Sequence, residues 1–302
     1  MIKIRVPATT ANLGPGFDCL GLALKLYLNL EIEEIEQGLI IEYQGEGAEK
    51  FSSKKDTLIG KSAELVLKKA GWDKSKKGLK IKIFNQIPIT RGLGSSASAI
   101  IGGIVGAARL YNIDLTNQET LELALSLEGH MDNIVPALIG GFTLAYKTSQ
   151  GEIKWARIKT PLDLRVVVAI PDFTLSTGEM RKALPQKVAL PEAVFNLSRS
   201  ALLVNALQNS DWDMLAEAME DRLHQPYRAP FIPGIEDMFV KIKKTGLAGV
   251  ALSGSGPSVV SLTKKGREEE VSKLMKDVFL NAGITCRTLV LEVDLEGTKN
   301  IA

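Results

Sequence analysis

Hydrophobic and polar residues alternate in several stretches of the first half of the chain. This period of two predicts β-strands over residues 2–6, 22–36, 79–84 and 140–146. Shorter strand pieces and a polar loop are predicted between residues 38 and 55. Residues 7–21 separate the first two strands with a polar, glycine-rich segment that is too long for a tight turn.

A helical period of apolar residues appears at three places in the same half. It predicts helices over 58–70, closed by Gly71, over 97–111, and from Thr116 to about residue 127. The last of these begins with a capping box, because Thr116 is followed three residues later by Glu119. The first half is therefore a mixed unit of strands and helices.

The second half has a recognisable order of elements. Strands are predicted at 164–170, 250–253, 258–263 and 288–293, and helices at 191–208, 211–224, 235–245 and 268–281. Without the extra helices this order is βαββαβ, the ferredoxin-like arrangement. The expected fold class is α+β with two domains, 1–160 and 161–302, divided near Thr160 and Pro161.

Composition narrows the classes of function. The chain has 302 residues, 37 basic and 35 acidic, so its net charge of +2 gives no electrostatic reason to expect nucleic acid or an acidic membrane as partner. The first ten residues lack an apolar signal core, and the apolar run 97–108 is too short to span a bilayer. Two cysteines fit no metal pattern, so we expect a cytoplasmic protein in a reducing compartment.

The stretch PITRGLGSSASA, residues 88–99, carries the clearest chemical signal. Glycines and serines at the start of a helix leave backbone N–H groups free, and these bind anions such as phosphate. The full pattern GxxxxGK[ST] does not occur in the sequence, which excludes a Walker A loop. Gly92, Gly94 and Ala97 match GxGxxA, but no strand directly precedes them, which disfavours a dinucleotide site. An ordinary glycine-rich helix start remains open on this motif alone.

Three glycines inside the following helix need a structural reason. Gly102, Gly103 and Gly106 each cost about 1 kcal/mol relative to alanine in a helix interior. Close packing of this helix against a sheet or a second segment supplies that reason.

Two further segments accompany the phosphate loop. PATTANLGPGFD spans residues 7–18, and LSGSGPS spans 252–258. Together the three segments resemble, in order and spacing, the signature motifs of the GHMP family of small-molecule kinases, and the resemblance covers almost the whole chain. It implies an N-terminal domain like the second domain of ribosomal protein S5 and a ferredoxin-like C-terminal domain.

The resemblance also implies ATP and Mg²⁺. The phosphates of ATP would lie against the loop residues, namely Pro88, Ile89, Thr90, Arg91, Gly92, Leu93, Gly94, Ser95, Ser96, Ala97 and Ser98. Backbone amides and the hydroxyls of the three serines would donate hydrogen bonds. A loop serine, Ser96, and the carboxylate Glu128 are the expected metal ligands. Glu128 shares an apolar helix stripe with Leu121, whereas Glu122 lies on the polar face.

Within the family the chain is most similar to the branch that phosphorylates L-homoserine. The similarity rests on Asp18 and on the segments EGHMDN (128–133), STGEMR (176–181) and HQPYR (224–228). It implies that Arg181 and Arg228 bind the substrate carboxylate, Asp18 the ammonium and Asn12 the hydroxyl. The wall of the pocket is completed by His130, Asn133 and Thr177. The catalytic candidates are Asn12, Asn133 and Arg181, and a homodimer is expected by analogy.

The similarity leaves the roles of three positions open. Where several family members use an aspartate as general base, this chain has Asn133, and Asp132 beside it is expected to point elsewhere. We therefore expect catalysis by alignment, with the proton passing to solvent or to a phosphate oxygen. Thr57 replaces an asparagine that helps to recognise adenine, so the preference for adenine is the weakest expectation. His224 is expected only to cap the helix that ends there.

Three other functions remain open from the sequence. A GHMP kinase for mevalonate or a sugar would not need an acid for an ammonium, which Asp18 provides. A non-catalytic sensor of nucleotide or amino acid would not need both the phosphate loop and Glu128. A dehydrogenase would bind NADH.

Overall fold

The computed structural model describes residues 1–51, 57–69, 71 and 77–301. Its first half contains strands β1 (Ile2–Ala11), β2 (Leu20–Ile35), β3 (Leu39–Gly45), β4 (Gly78–Asn85), β5 (Phe142–Lys147) and β6 (Ile153–Ile158). The helices are α1 (Ala48–Phe51), α2 (Leu58–Lys69), α3 (Ser95–Leu110), α4 (Asn117–Glu128) and α5 (Met131–Ile139). The predicted last residue of α2, Ala70, and the predicted loop residues 52–55 lie outside the described residues.

These strands form one sheet. Its order is β11-β1-β2-β4-β3, where β11 (Lys299–Asn300) returns from the end of the chain, and β5 pairs with the start of β2 and with β6. Among these pairs only β3 and β4 run parallel. A Rossmann sheet is parallel, so the topology rejects the dinucleotide fold.

Helix α3 packs directly on this sheet, as its glycines predict. A Cβ on Gly106 would lie 2.2 Å from Ile32 Cδ1 on β2, and one on Gly103 would lie 2.1 Å from Ser62 Oγ on α2. Such distances are far below van der Waals contact, so larger residues would push α3 away from its neighbours. The glycines therefore set the position of the helix whose first turn follows the phosphate loop.

The second half forms a separate four-stranded sheet. It consists of β7 (Leu164–Pro171), β8 (Ala248–Leu252), β9 (Val259–Lys264) and β10 (Cys286–Leu291), in the order β10-β7-β9-β8. Its helices are α6 (Thr177–Lys182), α7 (Leu190–Asn209), α8 (Leu215–Ala218), α9 (Gln225–Arg228), α10 (Ile235–Thr245) and α11 (Glu268–Asn281). The order β7-β8-β9-α11-β10, with helices after β7, confirms the predicted ferredoxin-like arrangement and the α+β class.

Strand β7 is buried on both faces. Val166 and Val168 join a core cluster that continues into the first sheet, whereas Val167 and Ala169 join a second cluster with α10 and α11. This explains why β7 is a continuous apolar run instead of an alternating one. The two sheets thus share one core, while the division near residue 160 stays a prediction.

Several elements differ from their predictions. The first strand continues from Val6 to Ala11, and the helix predicted over 211–224 is wrong, because only the short α8 forms there. Helices α1, α5, α6 and α9 and strands β6 and β11 were not predicted. The capping box at Thr116 is confirmed, with both reciprocal bonds to Glu119 present. None of the described helices is long and apolar enough to cross a membrane.

Candidate active site

A cavity of about 170 Å³ lies where loops from both sheets meet. It is lined by the residues predicted for substrate, namely Asn12, Asp18, His130, Asn133, Thr177, Arg181 and Arg228. It is also lined by the predicted metal ligands Ser96 and Glu128, and by most of the phosphate loop. The structure therefore brings together side chains that the sequence separates by more than 200 positions.

The phosphate loop is shaped by close contacts with the segment around Ser253. The Ser253 hydroxyl donates a hydrogen bond of 2.6 Å to the Gly92 carbonyl, and a Cβ on Gly92 would lie 2.1 Å from the Ser253 carbonyl oxygen. Gly94 precedes α3 with φ 67°. The first backbone hydrogen bond of α3 runs from the Ser98 N–H to the Gly94 carbonyl. The backbone N–H groups before Ser98 in the first turn are therefore available to an anion.

Three loop residues predicted to bind phosphate do not line this cavity. Ala97 and Ser98 are fully buried, and the Ser98 hydroxyl donates to the carbonyl oxygens of Pro7, at 2.8 Å, and Gly94, at 3.1 Å. The expected role of the Ser98 hydroxyl as a phosphate donor does not fit this geometry, because it faces β1. Ile89 lies instead in the neighbouring apolar cavity.

Ser96 and Glu128 meet as the metal prediction requires. The Ser96 hydroxyl donates a hydrogen bond of 2.6 Å to Glu128 Oε2, and burial raises the pKa of the Glu128 carboxyl. Among the described residues no basic side chain pairs with Glu128, and no three His, Cys, Asp or Glu side chains gather around a common point. Glu122 is exposed and accepts a bond from Gln118. A partly buried carboxylate without a cation is a suitable place for one.

The turn after β1 holds the first motif in an unusual backbone conformation. Asn12 and Asp18 have φ angles of 70° and 58°, in the left-handed region that few residues adopt. The Asn12 amide donates to the Gly254 carbonyl at 3.0 Å, and its carbonyl accepts from the Asp18 backbone N–H at 3.0 Å. Asn12 thus joins both motifs, and its amide is already engaged with protein.

Asp18 and Arg181 form a bidentate ion pair across the cavity. The two hydrogen bonds measure 2.7 Å and 3.0 Å, and Asp18 raises the pKa of the Arg181 guanidinium. The two residues predicted to hold opposite ends of the substrate therefore hold each other in this structure. Arg181 Nε is buried without a hydrogen-bond partner, so the guanidinium can donate a further hydrogen bond.

Arg228 is a second cation at the same wall, and it is almost completely buried. Its Nη1 donates to the Gly254 carbonyl at 3.0 Å and lies 3.1 Å from His224 Nδ1. Burial and the charge of Arg181 lower the pKa of Arg228 to about 10. Both guanidinium groups lie over the ring of Phe17, at 5.4 Å and 5.5 Å from its centroid. An anion between them would relieve their mutual repulsion.

Asp132 lines the cavity, so the prediction that it points elsewhere is wrong. It is 4% exposed, and burial together with the charge of Asp18 raises its pKa to about 7. Asn133 donates to Asp132 Oδ1 at 3.2 Å and accepts from the Thr9 hydroxyl at 2.7 Å. Asp132 and Asn133 lie in the first turn of α5, a helix that the sequence pattern did not reveal, and this explains the error.

Thr57 lies in a second, apolar cavity of about 290 Å³ that shares Thr90, Ser95 and Ser96 with the first. This cavity is otherwise lined by Leu28, Tyr43, Phe51, Leu58, Ile59, Ile89 and Ala99. The Thr57 hydroxyl accepts from the Gly60 N–H at 3.2 Å, which makes Thr57 the cap of α2. Asp56, which precedes Thr57 in the sequence, lies outside the described residues.

His224 does not end a helix, and its predicted capping role is wrong. It precedes α9 and is fully buried, with Nε2 2.8 Å from the Gly14 carbonyl and the ring stacked on Phe17. Sequence reasoning also missed the structural roles of Thr9 and Ser253, although both lie inside the quoted motifs. Their hydroxyls are visible in the sequence, but their partners are distant.

Comparisons with known proteins agree with this geometry. The model of the GHMP kinases N-terminal domain matches residues 57–141, and that of the GHMP kinases C-terminal domain matches 203–279. A homoserine kinase of Natranaerobius thermophilus is 39% identical over 100% of this chain and 98% of its own, and one of Moorella thermoacetica is 43% identical over 95% of each. The crystal structure of homoserine kinase from Cytophaga hutchinsonii superposes with a TM-score of 0.87 at 27% identity, covering 99% of this chain and 97% of that one. The chain belongs to the GHMP kinases and, among them, to the homoserine kinase family.

Proposed function

We propose that this protein transfers the γ-phosphoryl group of ATP to the side-chain hydroxyl of L-homoserine, giving O-phospho-L-homoserine and ADP in threonine biosynthesis. The observation that carries the proposal is the pairing of Asp18 with Arg181 beside Asp132 and Arg228. This wall presents two acids and two cations to one small cavity, which suits a zwitterion.

A zwitterionic amino acid compensates the charges of this wall. Its ammonium replaces Arg181 at Asp18 and adds a partner for Asp132, while its carboxylate draws Arg181 and Arg228 together. Arginine forks bind carboxylates in a bidentate way. A sugar has no charge to pair with the two acids, Asp18 and Asp132, or with the two arginines, Arg181 and Arg228. Mevalonate has a carboxylate for the arginines but no ammonium for the acids. A site discriminates strongly against an analogue that leaves its buried polar groups unpaired.

The side-chain hydroxyl of the substrate would lie near Asn133, between the acidic wall and Ser96. Because the Thr9 hydroxyl occupies the Asn133 carbonyl, the Asn133 amide group is held in one orientation. We propose that Asn133, with Asn12 fixing the loop beneath, aligns this hydroxyl with the phosphate. Phosphoryl transfer depends mainly on such alignment and on charge stabilisation, so the proton can pass to a phosphate oxygen. Asp132 then acts on the ammonium and not as a base.

We propose that ATP occupies the two joined cavities. Its phosphates would accept bonds from the first-turn amides of α3 and from Ser95, and its base would enter the apolar cavity beside Tyr43 and Thr57. The residues that would hold Mg²⁺ are Ser96 and Glu128, which supply hard oxygen ligands. A bound Mg²⁺ would neutralise phosphate charge. A homodimer in the cytoplasm is proposed by family analogy only.

The test is ADP release with Mg-ATP and a panel of alcohols: L-homoserine, D-homoserine, L-serine, L-threonine, mevalonate and galactose. Strong turnover with L-homoserine alone supports the proposal. Turnover with mevalonate or galactose would keep the phosphate loop and reject the charged wall as the substrate site. No turnover with any alcohol, together with nucleotide binding, would favour a sensor.

A further inference from the structure

His224 is the most completely enclosed ionisable side chain next to the site, yet it does not line the cavity. Its Nε2 lies 2.8 Å from the Gly14 carbonyl oxygen, which can only accept, so Nε2 carries the proton. Its Nδ1 lies 3.1 Å from Arg228 Nη1, which can only donate. These two contacts together require the neutral ring with its hydrogen on Nε2.

The backbone at His224 is fixed as firmly as its ring. Asp221 accepts hydrogen bonds from the backbone N–H groups of His224, at 2.9 Å, and Gln225, at 2.6 Å. Asp221 also accepts from the Asn196 amide at 2.7 Å, so its own position is set by α7. The His224 ring then stacks on Phe17, with centroids 5.2 Å apart. The His224 ring thus holds its donor, Nε2, and its acceptor, Nδ1, in fixed positions between α9 and residues 7–18.

We propose that His224 is a positioning residue for the substrate carboxylate, acting through Arg228 and through the loop of Gly14. Because Nδ1 of the ring accepts from Nη1, the guanidinium of Arg228 is oriented with its other N–H groups toward the cavity. By donating to Gly14, it holds the turn that carries Phe17 and Asp18. The inference rests on the proposed function only in naming L-homoserine as the ligand that Arg228 binds.

Two substitutions separate the two halves of this role. The Asn side chain places its oxygen near the position of Nδ1, so His224→Asn keeps an acceptor for Arg228 and loses the bond to Gly14. The Gln side chain reaches the position of Nε2, so His224→Gln keeps the donor to Gly14 and loses the acceptor. We expect His224→Gln to raise KM for L-homoserine about ten-fold or more, equivalent to about 1.4 kcal/mol. His224→Asn should raise KM for L-homoserine less, because it keeps the acceptor for Arg228, and KM for ATP should change little in either variant.

Leu207→Ala is a matched control, because Leu207 is buried in α7 and does not line the cavity. It should lower Tm without changing KM for L-homoserine. Equal rises of KM in both His224 variants, parallel changes of the two KM values, or a loss of Tm alone would overturn the positioning role.

The tautomer can be measured in the wild-type protein, even where a variant fails to fold. The chain has only two histidines, so ¹⁵N spectra of the imidazoles contain two ring systems, and a His130→Asn sample assigns them. We expect one ring to be neutral with its hydrogen on Nε2. A hydrogen on Nδ1, or a charged ring, would overturn the inference whatever the substrate is, because Nδ1 could not then accept from Arg228. A failure of L-homoserine as substrate would leave this tautomer unaffected, which distinguishes the two proposals.

Discussion

Asp132 links the pH dependence of stability to the binding of substrate. Its pKa is raised from 3.8 to about 7, mainly because the carboxylate is buried and secondly because Asp18 is negative. A carboxyl group whose pKa is higher in the folded than in the unfolded state makes its full contribution to stability below the unfolded-state pKa. That contribution is lost as the pH rises through the folded-state pKa. The wild type should therefore weaken between about pH 4 and 7 relative to Asp132→Asn, which carries no charge there.

The size of this effect follows from the shift. Each pH unit between the two pKa values changes the unfolding free energy by about 1.4 kcal/mol. From pH 5 to pH 8 the stability difference between Asp132→Asn and wild type should thus change by about 3 kcal/mol in favour of the variant. Denaturant unfolding of both proteins at the two pH values measures it. Asp213→Asn, at an exposed position, serves as the control and should show almost no change.

Substrate binding should reverse the shift. The ammonium of L-homoserine favours the ionised form of Asp132, so binding at pH 7 should release about half a proton per site. Calorimetry in two buffers with different ionisation enthalpies measures this release. A pH-independent stability difference for Asp132→Asn would contradict the raised pKa of Asp132, and binding without proton release would contradict its contact with the ammonium.

Three further outcomes follow from the geometry. Glu128→Gln should raise the Mg²⁺ concentration needed for half-maximal rate at least about ten-fold, whereas Glu122→Gln on the exposed face of the same helix should not, and equal effects would contradict the metal assignment. Arg228→Lys should raise KM for L-homoserine more than KM for ATP, since lysine cannot form the planar fork, and an unchanged ratio would argue against the carboxylate role. Thr116→Ala should lower the unfolding free energy by about 1 kcal/mol with unchanged kcat, as measured by denaturant titration.

The sequence predicted those features that depend on local pattern. The strands around β2, the capped helix α4 and the βαββαβ order follow from periodicity and turn residues. Helix α8 is only four residues long where a fourteen-residue pattern predicted a longer one, because the buried acid Asp221 turns the chain to support α9. A local pattern contains no information about such a tertiary contact.

The sequence motifs named many of the residues that line the cavity, but they did not reveal which side chains pair with each other. The motifs identified Asp18, Arg181 and Arg228, yet no spacing indicates that Asp18 and Arg181 bind each other across 163 positions. The orientation of Asp132 depends on α5, and that of Ser98 on the approach of α3 to β1. Both are consequences of packing, so both could be read only from the folded chain.

A ³¹P spectrum of the wild-type reaction with Mg-ATP and L-homoserine observes the transferred phosphoryl group directly. We expect one new phosphomonoester signal, that of O-phospho-L-homoserine, appearing in step with ADP. ADP accompanied only by inorganic phosphate, or no reaction while other alcohols are phosphorylated, would contradict the proposed activity.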